Sequence, residues 1–510
     1  MMGQVTLLGA GPGDVGLMTV RGAQVLARAD VVIYDFLADP AFLAMANPAA
    51  DRMYVGKSGA MHTMEQAEIN ELMVDQARQG KRVVRLKGGD PYIFGRGGEE
   101  AEFLAERGIP FAVIPGIASA LGASAYAGIP LTDRKFASSV TFVTGHEDPS
   151  KVTTSINWKA LAETGGTLVV YMGIRNISLI ADLLMQNGRS GTTPVAVVQW
   201  ATQPYQRSVQ GTLATVAGIV EAEKIEHPAL IIVGEVVGSR RGLNWFENLP
   251  LFGKTIAVTR AVDQAGSLVE LLGAQGARLI QAPAIRIEPP ADWMEVDESI
   301  QRLGSYDWTV FTSVNGVKAF CGRLLALGYD ARHFGAGHIA AIGEPTAEAL
   351  LAYGLKADYV PKVYTSASLA DGLAVKPGDR VLLARADIGT AGLRVSLVEK
   401  GAVVDDVAVY RTLAADFDVA ALRDALADGR LQGITFTSAS TVRSFLEKTK
   451  AADLVVDDSS CALFSIGPET SQALREAGLA PAREAGIHTI PGLVDAILDY
   501  YRSTRGAKHD

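Results

Sequence analysis

Residues 86–100 have the sequence LKGGDPYIFGRGGEE, and this stretch indicates an α/β fold. An apolar run ends in Gly88-Gly89, where the absence of Cβ atoms lets a ligand approach the backbone closely. Asp90-Pro91 favours a turn, and Glu99-Glu100 are acids where a helix would begin, as the helix dipole favours. The stretch therefore predicts a strand, a glycine-rich ligand loop and a helix, in that order.

The same alternation of β-branched runs and amphipathic patterns extends along the chain, which favours sheets flanked by helices. The runs are strand-sized and end in Gly, Asp or Pro. They cover residues 4–8, 31–34, 82–86, 140–144, 167–172 and 230–233. In such sheets ligands bind at the carboxyl ends of the strands, so we expect the functional residues in the loops that follow them.

Length, composition and charge restrict the class of protein. The 510 residues predict three or four compact units, and the net charge of −9 disfavours a nucleic-acid partner. The two cysteines and seven histidines show no spacing typical of metal ligands. Two isolated cysteines also exclude a disulfide framework. No stretch approaches the roughly 20 apolar residues of a membrane helix. The first residues predict a strand rather than a signal peptide. We expect a soluble cytoplasmic α/β protein that binds no membrane.

The second half contains an internal repeat with an offset of about 125 residues. VFTSVNGVKAF (310–320) resembles TFTSASTVRSF (435–445), and AIGEPTAEALLAYGL (341–355) resembles SIGPETSQALREAGL (465–479). GKTIAVTR from Gly253 likewise resembles GDRVLLAR from Gly378. The repeat predicts two similar α/β lobes with a cleft between them. A short, partly apolar stretch near residue 250 separates this half from the first, so we divide the chain into residues 1–245, a linker over 246–252 that we expect to dock, and residues 253–510.

Two glycine loops exclude common nucleotide sites. GAGPGD (9–14) has Asp14 where a dinucleotide fingerprint requires glycine, so no NAD site is expected. VGKS (55–58) lacks the upstream glycine of a P-loop, because Asp51 occupies that position. An ATPase is therefore excluded, and Lys57 stays a candidate functional cation.

Several segments of the first half resemble one family. GAGPGD, ADVVIYD, VRLKGGDPYIFGRGGEE, VIPGIASA, YAGIPLTDR, VVYMG and HPALIIVGEVV stand in the order found in uroporphyrinogen-III C-methyltransferases, of the tetrapyrrole methylase class, over residues 3–245. The resemblance implies two α/β lobes with S-adenosylmethionine between them. It also implies methyl transfer to C2 and C7 of uroporphyrinogen III, which gives precorrin-2, with no metal.

The resemblance implies a role for individual residues. Asp35 would accept a proton and Lys57 would donate one, whereas Arg96, Glu99 and Arg134 would bind the substrate carboxylates, with Arg96 also counted as catalytic. The family usually has His where Asp133 stands here. The residues that would line the cofactor site are Pro12, Gly88, Gly89, Asp90, Ile93, Ala118, Ser119, Met172, Ala201 and Ala229.

Residues 253–500 resemble the uroporphyrinogen-III synthases through FTSVNGV, IGEPTAEAL, VYRT, FTSAS and IGPETSQAL. That family closes hydroxymethylbilane between two lobes without a metal or cofactor, and Tyr410 occupies the place of its assisting tyrosine. Each Ser or Thr among the candidates could equally serve a turn or a helix cap. The substrate-binding candidates are Arg260, Ser313, Asn315, Thr346, Arg385, Thr437, Ser438, Ser440, Gly467 and Thr470.

The two resemblances together predict a bifunctional enzyme of tetrapyrrole biosynthesis that dimerises through its first half. One alternative is an active methyltransferase with a non-catalytic, tetrapyrrole-binding second half. Another, from a different class, is a two-lobed binding protein of the periplasmic type. Whether precorrin-2 would serve sirohaem or cobalamin, and whether the intermediate is channelled, stays open at the level of sequence.

Overall fold

The structure is a computed structural model that describes residues 3–56, 64–146, 155–389 and 391–506. The chain divides into two compact units, Met1–Gly253 and Lys254–Asp510. Each unit contains two five-stranded sheets among its described residues.

The first unit alternates strands and helices. Its strands are β1 (Gln4–Gly9), β2 (Val31–Tyr34), β3 (Asp51–Tyr54), β4 (Arg82–Lys87), β5 (Phe111–Ile114), β6 (Val140–Thr144), β7 (Thr167–Tyr171), β8 (Pro194–Gln199), β9 (Arg207–Thr212) and β10 (Ala229–Val233). Its helices are α1 (Val20–Leu26), α2 (Gln66–Arg78), α3 (Gly97–Glu106), α4 (Ser119–Ala127), α5 (Trp158–Glu163), α6 (Ile177–Gln186), α7 (Val216–Ala222) and α8 (Arg240–Leu243). Short 3₁₀ turns lie at Val15–Leu17, Pro40–Met45, Ile174–Asn176 and Glu235–Ser239.

The two sheets of this unit differ in strand direction. The first has the order β3-β2-β4-β1-β5 and is parallel throughout, so the carboxyl ends of all five strands lie at one edge. The second has the order β6-β7-β10-β8-β9, in which β10 runs antiparallel to both of its neighbours. Helix α4 buries its alanines against the core of the second sheet and thereby joins the two lobes.

The second unit continues the alternation. Its strands are β11 (Thr255–Val258), β12 (Arg278–Gln281), β13 (Ile285–Glu288), β14 (Trp308–Phe311), β15 (His338–Ala341), β16 (Arg380–Ala386), β17 (Val403–Ala414), β18 (Leu431–Phe436), β19 (Ala462–Ser465) and β20 (Arg483–Glu484). Its helices are α9 (Val262–Ala274), α10 (Met294–Gln301), α11 (Val314–Ala326), α12 (Glu344–Leu351), α13 (Ser366–Gly372), α14 (Gly392–Glu399), α15 (Val419–Ala427), α16 (Ala439–Ala451), α17 (Pro468–Glu476) and α18 (Ile490–Gly506). Two 3₁₀ turns lie at Leu303–Ser305 and Ala331–Phe334.

The predicted repeat corresponds to the two sheets of this unit. One sheet has the order β12-β11-β18-β19-β20 and the other β13-β17-β16-β14-β15. The run β12-β11-β18-β19 matches β17-β16-β14-β15 strand for strand along the repeat, and all these pairings are parallel. The prediction of two α/β halves, the second with an internal repeat, is confirmed.

Most predicted strands are found within one or two residues of their expected ends. Strands 31–34 and 140–144 match, whereas the run 167–172 ends one residue early because Met172 has a left-handed backbone. No helix in the described ranges is long and apolar enough to cross a membrane. The segment predicted as a linker, 246–252, belongs to the first compact unit, and Phe246 and Leu251 are buried there.

Candidate active sites of the two units

Three loops meet at the carboxyl edge of the first sheet, after β1, β4 and β5. The Gly11 N–H donates to the Gly89 carbonyl (3.1 Å), and the Gly89 N–H donates to that of Gly11 (2.7 Å). A Cβ atom on Gly9 or Gly116 would lie 2.6 Å or 2.3 Å from the Gly89 carbonyl oxygen, which is too close for any side chain. Main-chain groups therefore line this edge, as the sequence predicts for a ligand loop.

Asp90 holds this arrangement together. One oxygen of its carboxylate accepts from the Gly116 N–H (3.1 Å) and the other accepts from the Tyr92 N–H (2.8 Å). The first bond ties the GGDP loop to the loop after β5, and the second shapes the turn of the GGDP loop itself. Asp90 thus has a structural role in the site, besides any contact with the expected cofactor.

Left-handed backbone at residues other than glycine marks the same region. Such a conformation is disfavoured by about 1–2 kcal/mol per residue and tends to persist at ligand sites. These residues are Phe94, Arg96, Met172, Trp200 and Thr202. They follow β4, β7 and β8, and Ala201 lies between two of them. Backbone strain therefore concentrates where the cofactor site was predicted.

Contacts between the lobes close this region. The Tyr171 hydroxyl accepts from the Ala120 N–H at the start of α4 (3.1 Å), and Ser119 lies beside it. Asp14 donates its N–H to the Thr202 hydroxyl (3.0 Å), and its carboxylate accepts from the Tyr126 hydroxyl (2.5 Å). Asp14 therefore joins the lobes, which explains its presence in a glycine loop.

A buried group of charges underlies the GGDP loop. Glu100 is fully buried and its Oε1 accepts from Lys87 Nζ (2.8 Å) and Arg85 Nε (3.3 Å). Arg85 also donates to Asp35 Oδ2 (2.7 Å). Burial lowers the pKa of Lys87, and the charge of Arg85 acts in the same direction. The carboxylate predicted to accept a proton is thus held by an arginine, which is in turn held by Glu100.

The predicted substrate-binding residues of this unit lie at the surface. Arg96 forms a forked pair with Glu99, with 3.0 Å from Nε to Oε1, and this hydrogen bond lowers the pKa of Glu99. Arg134 is exposed in the turn after Asp133. Asp133 accepts from the Lys135 N–H (2.7 Å), so the residue that replaces the usual His shapes this turn.

The remaining predicted residues of this unit are placed as follows. Pro12 packs against α4, where a Cβ on Gly122 would lie 2.5 Å from its Cγ. Ala118 immediately precedes α4, Ile93 is exposed, and Ala229 begins β10. Lys57 lies outside the described residues.

Helix starts dominate the candidate site of the second unit. The hydroxyl groups of Ser313 and Ser438 accept from backbone N–H groups in the first turns of α11 and α16, so both are helix caps. Ser440 contacts Ser438 (2.8 Å between hydroxyl oxygens). Gly467 directly precedes α17. Thr346 and Thr470 are buried in the first turns of α12 and α17, and Thr437 precedes α16.

Tyr410 lies beside the start of α11. Its hydroxyl is 3.1 Å from that of Ser313, and it also contacts Asn315. Asn315 accepts from Gln264 Nε2 (2.7 Å) on α9 of the other lobe. Burial raises the pKa of Tyr410, so the phenol stays protonated at neutral pH. A protonated phenol next to a helix start can donate a proton.

Models of two families match this chain. The family described as uroporphyrinogen-III synthase HemD matches residues 266–495, and the family described as tetrapyrrole (corrin/porphyrin) methylases matches residues 4–217. A porphyrin biosynthesis protein HemD from Ruminiclostridium josui is 37% identical over 499 residues, which cover 98% of each chain. The chain belongs to this family. It is a tetrapyrrole methylase fused to a uroporphyrinogen-III synthase.

Two further relatives are uroporphyrinogen-III methyltransferases. The uroporphyrinogen-III C-methyltransferase of Bacillus subtilis is 43% identical over 65% of this chain and 68% of its own length. An S-adenosyl-L-methionine-dependent uroporphyrinogen III methyltransferase of Methanosarcina barkeri is 49% identical over 46% of this chain and 92% of its own length. The family predicted for each half is confirmed, whereas the individual site residues stay predictions.

Sequence reasoning missed several residues of the methylase site. Trp200 and Thr202 gave no signal beyond their place after an apolar run, because residue type does not reveal a left-handed backbone. Arg85, Lys87 and Glu100 lie inside the quoted motif. Arg85 and Lys87 are two residues apart on β4 and so share a face, which could have indicated them, whereas Glu100 on α3 was interpreted only as an acid at a helix start.

Proposed function

We propose that this chain is a bifunctional enzyme of tetrapyrrole biosynthesis. The second unit cyclises hydroxymethylbilane to uroporphyrinogen III, and the first methylates that product at C2 and C7 with S-adenosylmethionine to give precorrin-2. The proposal rests on the match of both families to one chain. The HemD relative from Ruminiclostridium josui aligns with this chain over 98% of its length.

The methylase residues fit a cofactor that packs against main chain. Glycine loops without Cβ atoms, next to the strained segment from Trp200 to Thr202, would let a bound nucleoside pack directly against the main chain. When bound, S-adenosylmethionine supplies an electrophilic methyl group on a sulfonium. The protein then orients the pyrrole carbon, excludes water and accepts the proton that the macrocycle loses. Asp35 would take that proton, with its carboxylate oriented by Arg85.

Exposed apolar side chains support binding of a macrocycle. Phe36, Tyr92 and Phe94 are each about half exposed. The ring of Phe36 lies 5.6 Å from that of Trp200, and the ring of Phe94 lies 4.7 Å from that of Tyr171. Such a rim would contact the pyrrole rings, while Arg96 and Arg134 would pair with carboxylates at the edge.

The synthase step requires a proton donor and anion-binding groups. Tyr410 would protonate the hydroxyl that leaves hydroxymethylbilane as water, before the ring closes with inversion of the last pyrrole. Its phenol is protonated at neutral pH, and its hydroxyl lies 3.1 Å from that of Ser313. The starts of α12 and α17, which no side chain caps, would hold acetate and propionate groups through their N–H groups.

One experiment with three arms tests both activities on the intact chain. Hydroxymethylbilane alone should give the type III isomer, separable from the type I isomer by chromatography. Uroporphyrinogen III with S-adenosylmethionine should give a dimethylated product by mass and absorbance. Hydroxymethylbilane with S-adenosylmethionine should give the same product. Type I isomer alone in the first arm would refute the synthase, and unmethylated substrate in the second would refute the methylase.

We also propose a homodimer through the methylase unit and a cytoplasmic location. Family resemblance supports these two points. Sedimentation velocity of the intact chain tests the dimer, and a monomer at micromolar concentration would refute it.

A further inference from the structure

The repeat in the synthase unit duplicates an arginine at the end of a strand. Arg260 ends GKTIAVTR and Arg385 ends GDRVLLAR, at the same repeat offset. The strand pairing is also duplicated, because Val258 pairs with Gln281 where Leu383 pairs with Asp406. Gln281 therefore occupies in one lobe the position that Asp406 occupies in the other.

Arg385 is neutralised within its own lobe. Its Nε donates to Asp406 Oδ1 (2.7 Å), and its NH2 group donates to Asp406 Oδ2, which makes a forked pair. The Arg385 side chain is almost fully buried. A forked and buried guanidinium has few donors left for a ligand, so this arginine serves the structure of the lobe.

Arg260 differs in every one of these respects. Its Nε is buried without a hydrogen-bond partner, and no ion pair engages its guanidinium within the described part of the chain. Gln281 is exposed and has no charge to offer. Burial lowers the pKa of Arg260, although an arginine still keeps its charge at neutral pH. A partly buried cation without a counter-charge is unfavourable unless an anion joins it.

The start of helix α9 follows Arg260 closely in the chain. The helix begins at Val262, two residues after Arg260, and Ala261 before it supplies no side-chain cap. By the repeat offset α14 is the equivalent helix of the other lobe, and Ala391 before it likewise supplies no side-chain cap. Free N–H groups at a helix start and an unpaired guanidinium both favour an anionic ligand.

We propose that Arg260 binds a carboxylate of the linear tetrapyrrole, whereas Arg385 is a structural residue paired with Asp406. This inference rests on the proposed synthase activity. It assigns different roles to two arginines that occupy equivalent positions in the repeat. The roles differ because one lobe has Gln281 where the other has the charged Asp406. The repeat thus gives one lobe a cation for the substrate and the other an internal ion pair.

The test uses the intact chain and the rate at which type III isomer forms from hydroxymethylbilane. Arg260→Gln should raise KM by about 10- to 100-fold, as expected for the loss of one charge-assisted contact. Gln281→Asp should raise KM in the same way, because it gives Arg260 the partner that Arg385 has. Gln281→Asn is the matched control without a charge, and its KM should equal that of the unmodified chain.

Arg385→Gln separates the two roles. It should lower the melting temperature while leaving KM unchanged, whereas Arg260→Gln should change KM with circular dichroism and melting temperature preserved. Equal KM values for Gln281→Asp and Gln281→Asn, or a rise in KM for Arg385→Gln as large as for Arg260→Gln, would overturn the inference. An unmodified chain without synthase activity would overturn the proposed function as well, so the two failures are distinguishable.

Discussion

Met172 has a backbone conformation that lowers stability at the predicted cofactor site. Its φ of 55° is unfavourable for a side chain, and the residue is half exposed after β7. Met172→Gly should raise the free energy of unfolding by about 0.5–1 kcal/mol and lower the rate of methyl transfer. Lys224→Gly is the control, because Lys224 is also left-handed (φ 50°) but lies in a loop after α7. It should give the same gain with an unchanged rate; a fully active Met172→Gly would refute the role of the strain.

Two adjacent glutamates separate buried from exposed charge. Glu100→Gln leaves Arg85 and Lys87 with a neutral partner in the core, so the free energy of unfolding of the methylase unit should fall by about 3–5 kcal/mol. Glu99→Gln breaks only an exposed pair with Arg96 and should lower it by less than about 1 kcal/mol. Urea denaturation compares the two variants. Equal losses would show that the buried group does not stabilise this lobe.

Residue type alone predicts only part of this site. The role of the glycines in the GGDP loop was predictable, since few other residues allow a ligand to approach the backbone closely. The contrast between Glu99 and Glu100 was not, because it depends on which side of α3 faces the sheet. Arg260 and Arg385 likewise look equivalent until the residues on the neighbouring strands are known, and those come from elsewhere in the chain.

At the scale of elements, strands were predictable because β-branched runs between glycine and proline have few alternatives. The repeat predicted two similar lobes in the synthase unit, but the order in which the strands pair was not predicted for either unit. The segment 246–252 shows the limit. Its short length and partly apolar composition favoured a linker that docks, and in the structure Phe246 packs against Tyr126 (ring centroids 4.7 Å apart) and Leu251 is fully buried. Its docking depends on distant partners that local sequence does not reveal.

Glu247 fastens this segment to the methylase unit. It accepts hydrogen bonds from Gln206 (2.8 Å) and Ser208 (2.6 Å), and it pairs with Arg240. Burial opposes the charge, but the hydrogen bonds from Ser208 and Gln206 and the charge of Arg240 outweigh it and lower the pKa. Because the folded-state pKa of Glu247 is below its ordinary value of 4.5, the ionised carboxylate stabilises the fold at pH values above 4.5. This contribution is lost as the pH falls through the lower pKa of the folded state.

Glu247→Gln should therefore reduce stability at neutral pH and flatten its decline in acid. Thermal unfolding of the methylase unit between neutral pH and pH 3, followed by tryptophan fluorescence, measures both effects. Glu226→Gln is the matched control because Glu226 is exposed, and it should behave like the unmodified chain. Parallel acid profiles for all three proteins would contradict the role assigned to Glu247.

At the scale of the whole molecule, each described core cluster draws its residues from one unit only. A protease site inserted between Gly253 and Lys254 should therefore yield, after cleavage, two soluble halves that keep their separate activities.

The benefit of fusion is the effective concentration of the product of one unit near the other. Cleavage should lengthen the lag before dimethylated product forms from hydroxymethylbilane at low enzyme concentration, without changing the rate from added uroporphyrinogen III. An unchanged lag would show that the covalent link ensures equal amounts of the two enzymes and does not speed transfer of uroporphyrinogen III between them. Precipitation of either half would show that the units depend on one another to fold.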